Sequence, residues 1–262
     1  MRISASEYIL FCNPTEQNVE RLHELVPEIE LMLDGDAWDS EEEDWQKKIV
    51  RLKNSRVPFP VHPPAWDVNP AAPVREIREA AAKVNRHALE VCRELGVKQV
   101  VYHPGYYDKR SRFSRKLAWK RSYELLEELV TIAKPQGITI AYENIGGPAV
   151  SLFTQEEYIH ALDDVDPCVK YLLDVGHAHI NGWDIPEVID ALSDRLCGLH
   201  LHDNDGAGDS HLPIGQGTIP WEDVFASMKC LSPECVFVLE YAPGTPLAAL
   251  EVGRELLREK LY

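Results

Sequence analysis

Short apolar segments alternate with longer helical patterns eight times along the 262 residues of this chain. Such alternation favours a parallel sheet, because each helix returns the chain to the edge where the next strand begins. Eight strand–helix units in a chain of this length favour closure into a barrel, and no GxGxxG motif follows an early strand to favour an open dinucleotide-binding sheet. We therefore predict an α/β protein, a parallel eight-stranded (β/α)₈ TIM barrel that forms a single domain over residues 1–262.

The predicted strands cover residues 2–10, 29–33, 57–62, 97–102, 138–142, 169–173, 196–201 and 236–239. The predicted helices cover residues 15–25, 41–52, 75–95, 117–134, 154–162, 186–192, 221–228 and 246–261. Thr15 and Ser40 have the residue type of helix N-caps. Gly96 is expected to close the third helix, because glycine readily takes the left-handed conformation at helix C-termini.

The formal net charge of −16 disfavours a nucleic acid as a binding partner, because a negatively charged protein repels the phosphate backbone. The most basic segment, Lys109–Arg121, is either a solvated helix face or a clamp for an anionic substrate.

Six cysteines without CxxC spacing indicate free thiols in a reducing compartment. Without a signal-peptide pattern or a membrane-length apolar run, we expect a soluble cytoplasmic protein with no membrane partner.

Six of the predicted strands end in a side chain that can bind a metal ion. These residues are His62, His103, Glu143, Asp174, His200 and Glu240, and His177 lies just beyond Asp174. The carboxyl ends of all strands in a parallel barrel lie on one face, so residues that are distant in sequence become neighbours there. Asp209 and His211, in the loop after the seventh strand, can fold back onto the same face.

These nine candidates combine imidazoles with carboxylates. Such ligands suit Zn²⁺, Mn²⁺, Fe²⁺ or Co²⁺ better than Mg²⁺ or Ca²⁺. Nine exceed what one ion needs, so either several ions bind or some of these groups contact substrate.

The chain resembles the xylose isomerase-like TIM barrels, which join sugar and sugar phosphate isomerases and epimerases to endonuclease IV-like enzymes. The motifs that carry the resemblance are VHPP at His62, YHPG at His103, YEN at Glu143, DVGHAH at Asp174 and His177, HLHDN at His200, DSHLPIGQG at Asp209 and His211, and LEY at Glu240. The resemblance implies a core metal site formed by Glu143, Asp174, His200 and Glu240. It also implies that Glu143 and Glu240 are catalytic and move the proton, while His177 contacts substrate oxygens.

The endonuclease IV branch implies a larger centre. In that branch a histidine on strand three, the HPG histidine and an Asp-x-His pair help to hold three zinc ions, and the matching residues here are His62, His103, Asp209 and His211. Such a cluster activates water and clamps a phosphate, so this set favours phosphodiester hydrolysis. In a one-metal enzyme, His62, His103, His177 and His211 are substrate-binding candidates instead.

Two departures weaken the endonuclease resemblance. The first strand, RISASEYIL, lacks the His-x-Ser-x-x-Gly-Gly opening of that branch, and the loop DGDAWDSEEED is acidic where a DNA-binding loop would be neutral or basic. A further departure affects the sugar branch, because His202 stands where the family usually has lysine. The region Asp209–His211 also replaces an arginine of some ketose epimerases, so substrate specificity does not transfer.

We therefore predict a metal-dependent sugar or sugar phosphate isomerase or epimerase, with a small sugar-like substrate and paired glutamates that move a proton next to a carbonyl. The alternative is an endonuclease IV-like multi-zinc hydrolase of abasic-site DNA or a small phosphate ester. The expected cofactor is a divalent metal ion, zinc or manganese before iron or cobalt, without an organic cofactor. A non-catalytic binding protein is disfavoured because so many ligands are retained, and a homo-oligomer is left open.

Overall fold

The computed structural model describes residues 2–35, 38–39, 44–54, 60–110 and 112–261. Eight parallel strands close into one barrel in chain order, and the first strand pairs with the last. The strands are β1 (Arg2–Ser6), β2 (Glu28–Met32), β3 (Val61–His62), β4 (Gln99–Tyr102), β5 (Thr139–Glu143), β6 (Val169–Asp174), β7 (Leu196–Leu201) and β8 (Val236–Leu239). The predicted fold class, a single-domain (β/α)₈ barrel, is confirmed.

The α-helices within these ranges surround the barrel. They are α1 (Thr15–Leu22), α2 (Asp44–Leu52), α3 (Arg75–Leu95), α4 (Arg115–Ala133), α5 (Gln155–Ile159), α6 (Val175–Ile180), α7 (Ile185–Leu192), α8 (Trp221–Met228) and α9 (Ala248–Leu261). None of the described helices is long and apolar enough to cross a bilayer. The predicted Ser40 cap and the start of the acidic helix at residues 41–43 lie outside the described residues.

Buried tyrosines join the strands to the helix layer on one side of the barrel. The ring centroids of Tyr102 and Tyr142 are 5.9 Å apart, and those of Tyr158 and Tyr171 are 5.1 Å apart. Buried hydroxyls need a partner, and the Tyr102 hydroxyl donates to the Ser122 carbonyl at 2.8 Å. These rings fill the space between β4, β5 and β6 and the helices α4 and α5, so they fix the strands that carry much of the site.

The first strand is shorter than predicted. It ends at Ser6, and residues Glu7–Leu10 form a 3₁₀ helix instead of continuing the strand. The Ser6 hydroxyl accepts from the Tyr8 amide at 3.3 Å, and the buried Glu7 carboxylate accepts from the Asn18 side chain at 2.7 Å. These polar anchors outweigh the strand propensity of the apolar run that follows, and they place Tyr8 at the mouth of the barrel.

The Gly96 helix terminus is confirmed. Gly96 follows α3 with φ +73°, in the left-handed region, and its amide donates to the carbonyls of Cys92 and Arg93. Apart from Gly96, its chain neighbours and the backbone of α3, no atom of the described residues lies within 4 Å of the position that a β-carbon would take.

We expect Gly96→Ala to lower the free energy of unfolding by about 1 kcal/mol, because only the backbone conformation is penalised there. Urea unfolding measures this change. Gly208→Ala is the control, because Gly208 has open space but no positive φ. Equal stability of the two variants would contradict the assignment of Gly96 as a left-handed helix terminus.

Candidate metal centre

The carboxyl ends of six strands deliver a metal-capable side chain to one face of the barrel. His62, Glu143 and Asp174 are the last residues of β3, β5 and β6. His200 lies one residue before the end of β7, whereas His103 and Glu240 directly follow β4 and β8. The closed parallel order of the strands therefore brings these residues together, as the strand-end pattern predicts.

All nine predicted residues lie in this cluster, and three groups within it have ligand atoms within 4.8 Å of one another. The groups are His62, His103 and Glu143; Glu143, Asp174 and His200; and His177, Asp209 and His211. Two further groups add residues that the sequence did not identify: Glu30 with His200 and Glu240, and His202 with His211 and Glu240. The structure thus brings the nine candidates together, while their roles as ligands stay a prediction.

Glu143 belongs to two of these groups. One oxygen, Oε2, lies 2.9 Å from His103 Nε2 and 3.7 Å from His62 Nε2. The other, Oε1, lies 3.2 Å from His200 Nδ1. Because each oxygen faces a different set of imidazoles, this carboxylate has the geometry to serve one ion or to bridge two.

His200 provides the clearest test of whether a metal ion fits. Its Nδ1 is buried and has no hydrogen-bond partner among the described residues. It lies 3.2 Å from Glu143 Oε1, 3.2 Å from Glu240 Oε2 and 3.7 Å from Asp174 Oδ2. An orphaned imidazole nitrogen among three carboxylates has the donor chemistry of a zinc or manganese site, so a divalent ion fits here.

The DVGHAH motif forms the turn from β6 into α6, a helix that the sequence did not predict. Asp174 is the N-cap, and its Oδ1 accepts from the His177 amide at 2.6 Å and from His202 Nε2 at 3.1 Å. The Asn144 side chain also braces the Asp174 backbone. Oδ2 lies 3.1 Å from the same His202 Nε2 and 3.7 Å from His200 Nδ1, and the cap turns His177 back towards the site. A β-carbon on Gly176 would lie 2.0 Å from His202 Cε1, so glycine is required there.

Asp203 organises the loop after β7. Its Oδ2 accepts from the Gly215 amide at 2.9 Å and from Trp221 Nε1 at 2.8 Å, and its backbone pairs with Leu212. Its Oδ1 accepts from the amides of Asn204 and Ile219. These bonds fold the loop back over the mouth of the barrel.

The folded loop completes the third group. Asp209 Oδ2 lies 3.1 Å from both His177 Nε2 and His211 Nε2. His211 has φ +44°, a left-handed conformation that is uncommon for a side chain of this size. Its ring stacks on His202 with centroids 3.8 Å apart.

Carboxylates and imidazoles in the cluster shift one another's pKa. Burial lowers the pKa of His62, but hydrogen bonding to Glu143 and the charges of the surrounding carboxylates together outweigh it and raise the pKa to about 9. Burial likewise opposes the effect of Asp209 on His211, whose pKa is raised to about 9. Burial raises the pKa of Glu143, but the charges of His200 and His103 hold it well below the usual range. Without metal, protons on the histidines neutralise the carboxylates.

A cavity of about 440 Å³ opens above the cluster. The cluster residues that form its floor are Glu143, Glu240, His62, His103, His177, Asp209 and His211. Its wall includes Tyr8, Met32, Trp66, Val68, Tyr106 and Ile145. None of the described lining residues is lysine or arginine. The cavity therefore suits a small molecule with apolar and hydroxyl surfaces, bound by ring stacking and by the metal-capable floor.

The predicted basic segment lies outside the cavity. Of the basic segment Lys109–Arg121, none of the described residues lines it, and Arg110, Arg115 and Lys120 pair with Asp108, Glu157 and Glu124. The solvated-face interpretation therefore fits better than an anion clamp. The aromatic residues Trp66 and Tyr106 line the cavity, whereas Tyr107 and Trp183 pack against the core.

The fold and this site define a barrel with a histidine- and carboxylate-rich mouth. The chain belongs to the xylose isomerase-like TIM barrel family, which matches residues 22–260. This confirms the family that the motifs suggest.

Three proteins show what the chain is similar to. An uncharacterised protein of Methanocaldococcus jannaschii is 32% identical over 221 residues, which are 82% of this chain and 74% of that protein. A probable endonuclease 4 of Aquifex aeolicus is 28% identical over 223 residues, 79% of this chain and 77% of that one. The crystal structure of a D-tagatose 3-epimerase-like protein matches with a TM-score of 0.85 and 25% identity, over 100% of this chain and 97% of the other.

In metal-free protein, we expect the free energy of unfolding to fall as the pH rises from 6.5 to about 9. His62 and His211 bind protons more tightly when folded than when unfolded. Their stabilising contribution is therefore complete below pH 6.5 and is lost as they deprotonate. Urea unfolding in the presence of a chelator measures the trend. The double variant His62→Gln/His211→Gln should show a shallower decline, and rising stability over this window in the unsubstituted protein would contradict the charge assignment.

Asp203→Ala should lower the free energy of unfolding by about 3 kcal/mol or more, because it leaves several buried donors without an acceptor. Asp205→Ala is the control in the same loop, since Asp205 has an exposed hydrogen bond to the Ala207 amide. Chemical denaturation of both variants measures the difference. Equal losses would show that Asp203 does not hold the loop.

Proposed function

We propose that this chain is a divalent-metal-dependent isomerase or epimerase of a small sugar-like substrate. The observation that carries the proposal is the cavity of about 440 Å³, whose floor holds Glu143 and Glu240 and whose described lining has no lysine or arginine. Such a lining suits hydroxyl-rich, largely uncharged molecules. The likeness over the whole chain to a D-tagatose 3-epimerase-like protein supports the same chemistry.

The residues that would hold the ion are Glu143, Asp174, His200 and Glu240. When bound, a divalent ion polarises carbonyl and hydroxyl oxygens and stabilises the negative charge that develops as an adjacent proton leaves. The chain supplies the groups that handle this proton.

Glu143 and Glu240 are the proposed acid–base pair. They come from β5 and β8, so β6 and β7 separate them around the barrel. Burial raises the pKa of each, but His200 together with His103 at Glu143, and together with His211 at Glu240, outweighs it. Both pKa values therefore lie below the usual range, and both groups start as carboxylates. One can remove a proton from one face of the substrate, and the other can return it on the opposite face.

The remaining lining residues would position the substrate. Trp66 and Tyr106 line the cavity and can stack on the C–H face of a sugar. His177 and His211 line the cavity, and their Nε2 atoms can form hydrogen bonds with substrate hydroxyls.

A second candidate, a multinuclear metal hydrolase of a small phosphate ester, is favoured by one specific observation. The two oxygens of Glu143 face separate imidazole groups, and Asp209 lies between His177 and His211 as a third group. His62, His103 and that third group would hold the additional ions. The net charge of −16 favours a small ester over DNA as the substrate.

The isomerase proposal predicts proton exchange at the carbon next to a carbonyl. A panel of ketoses and cyclic keto-polyols is incubated with metal-loaded protein in D₂O and followed by NMR. Glu143→Gln and Glu240→Gln should each reduce the exchange rate about 10²–10⁴-fold, the usual size of an acid–base contribution. Glu28→Gln is the control, because Glu28 lies at the opposite end of the barrel and pairs with Arg2. Exchange that persists in both site variants would exclude the assigned roles.

His62→Ala separates the two candidates. In a one-metal isomerase it should change the exchange rate only a few-fold, because His62 lies outside the four proposed ligands. In a multinuclear hydrolase it should abolish cleavage of bis(p-nitrophenyl) phosphate. Phosphodiester cleavage by the unsubstituted protein, together with no exchange on any sugar, would place the hydrolase first.

A further inference from the structure

Glu30 is a buried carboxylate beneath the candidate metal centre that the proposed reaction does not use. It lies within β2, where the neighbouring residues Ile29 and Leu31 are apolar, and its exposed fraction is 0%. Its Oε1 and Oε2 lie 3.2 Å and 3.3 Å from His200 Nε2. Among the described ion pairs, His200 is its one partner.

Burying a carboxylate without compensation is strongly unfavourable, so this position needs a partner of matching chemistry. His200 is also fully buried and contacts carboxylates with both ring nitrogens. Nδ1 faces Glu143, Glu240 and Asp174, whereas Nε2 faces Glu30. The ring therefore connects the metal-facing carboxylates to Glu30.

Other histidines of the cluster are anchored in a different way. His62, His177 and His211 each donate from Nδ1 to a backbone carbonyl, at 2.7 Å, 2.9 Å and 2.9 Å. Their Nε2 atoms are left for the centre. His200 is reversed, because its Nδ1 faces the centre and a charged carboxylate anchors its Nε2.

A neutral imidazole has one N–H and one lone pair, so the partner of one nitrogen determines what the other can do. A proton on Nε2 that is donated to Glu30 leaves the Nδ1 lone pair free for an ion. The opposite tautomer would place an N–H where the ion binds and a lone pair against a carboxylate.

We propose that Glu30 is a positioning residue of the metal centre, which fixes the His200 ring and holds its proton on Nε2 so that Nδ1 faces the ion. Carboxylate–histidine–metal arrangements strengthen metal binding, and loss of the outer carboxylate typically weakens it 10–100-fold. This inference rests on the metal centre of the proposed function, and it does not depend on which reaction occurs there.

The test compares the zinc affinities of folded variants by competition with a chromophoric chelator. Glu30→Ala should weaken binding about 10–100-fold, and Glu30→Gln should weaken it less, because an amide oxygen can still accept from Nε2. The matched control is Glu28→Gln, two residues away on the same strand, which loses its ion pair with Arg2 but should keep the affinity within about twofold. If Glu30→Ala does not fold, the nearly isosteric Glu30→Gln carries the test.

A second readout distinguishes positioning from a general structural role. In zinc-loaded protein with ¹⁵N-labelled histidine, long-range ¹H–¹⁵N spectra should show the Nε2–H tautomer of His200, with a loss or mixture of that signal in Glu30→Ala. Unchanged zinc affinity and an unchanged His200 signal in a folded Glu30 variant would overturn the inference while leaving the proposed function standing. Unsubstituted protein that binds no ion would contradict both.

Discussion

The contact between the Glu143 carboxylate and the imidazoles around it is the interaction on which the rest of the site depends. Glu143 is 1% exposed, and its two oxygens face His103 and His200 from different directions. This burial is tolerable only because histidines or a metal ion neutralise the charge. The barrel satisfies that condition by closing its strands in chain order, so that the ends of β4, β5 and β7 meet.

Much of the fold could be predicted from the sequence, because few segments combine the continuous apolar run typical of a buried strand with the apolar periodicity typical of a helix. The limits of β7, α8 and β8 agree with the prediction, and the Gly96 terminus is found as expected. The prediction was wrong at residues 7–10, because the side-chain bonds of Ser6 and Glu7 end the strand early. Helix α6 was missed because its start depends on the Asp174 cap and not on apolar periodicity.

The candidate site was predictable to a similar extent. Nine residues were identifiable because each lies at or just beyond a strand end, or in the loop after β7. Glu30 and His202 were missed as members of the cluster, for different reasons. A single glutamate in the apolar run IELML gives no signal of a partner, and the partner of Glu30 is 170 positions away. His202 is recognisable only once its bond to Asp174 is seen. Which ring nitrogen contacts which carboxylate oxygen depends on the positions of the side chains. The pattern of strands in the sequence gives no information about those positions.

The central claim is that the mouth of this barrel binds a catalytic divalent ion through Glu143, Asp174, His200 and Glu240. Elemental mass spectrometry of the purified protein and of the Asp209→Ala/His211→Ala variant tests it most directly. We predict about one zinc or manganese ion per chain in both proteins, as in a one-metal site with an open position for substrate. Absence of metal from the unsubstituted protein would contradict the claim. Several ions that decrease in the variant would contradict the one-metal isomerase and support the hydrolase.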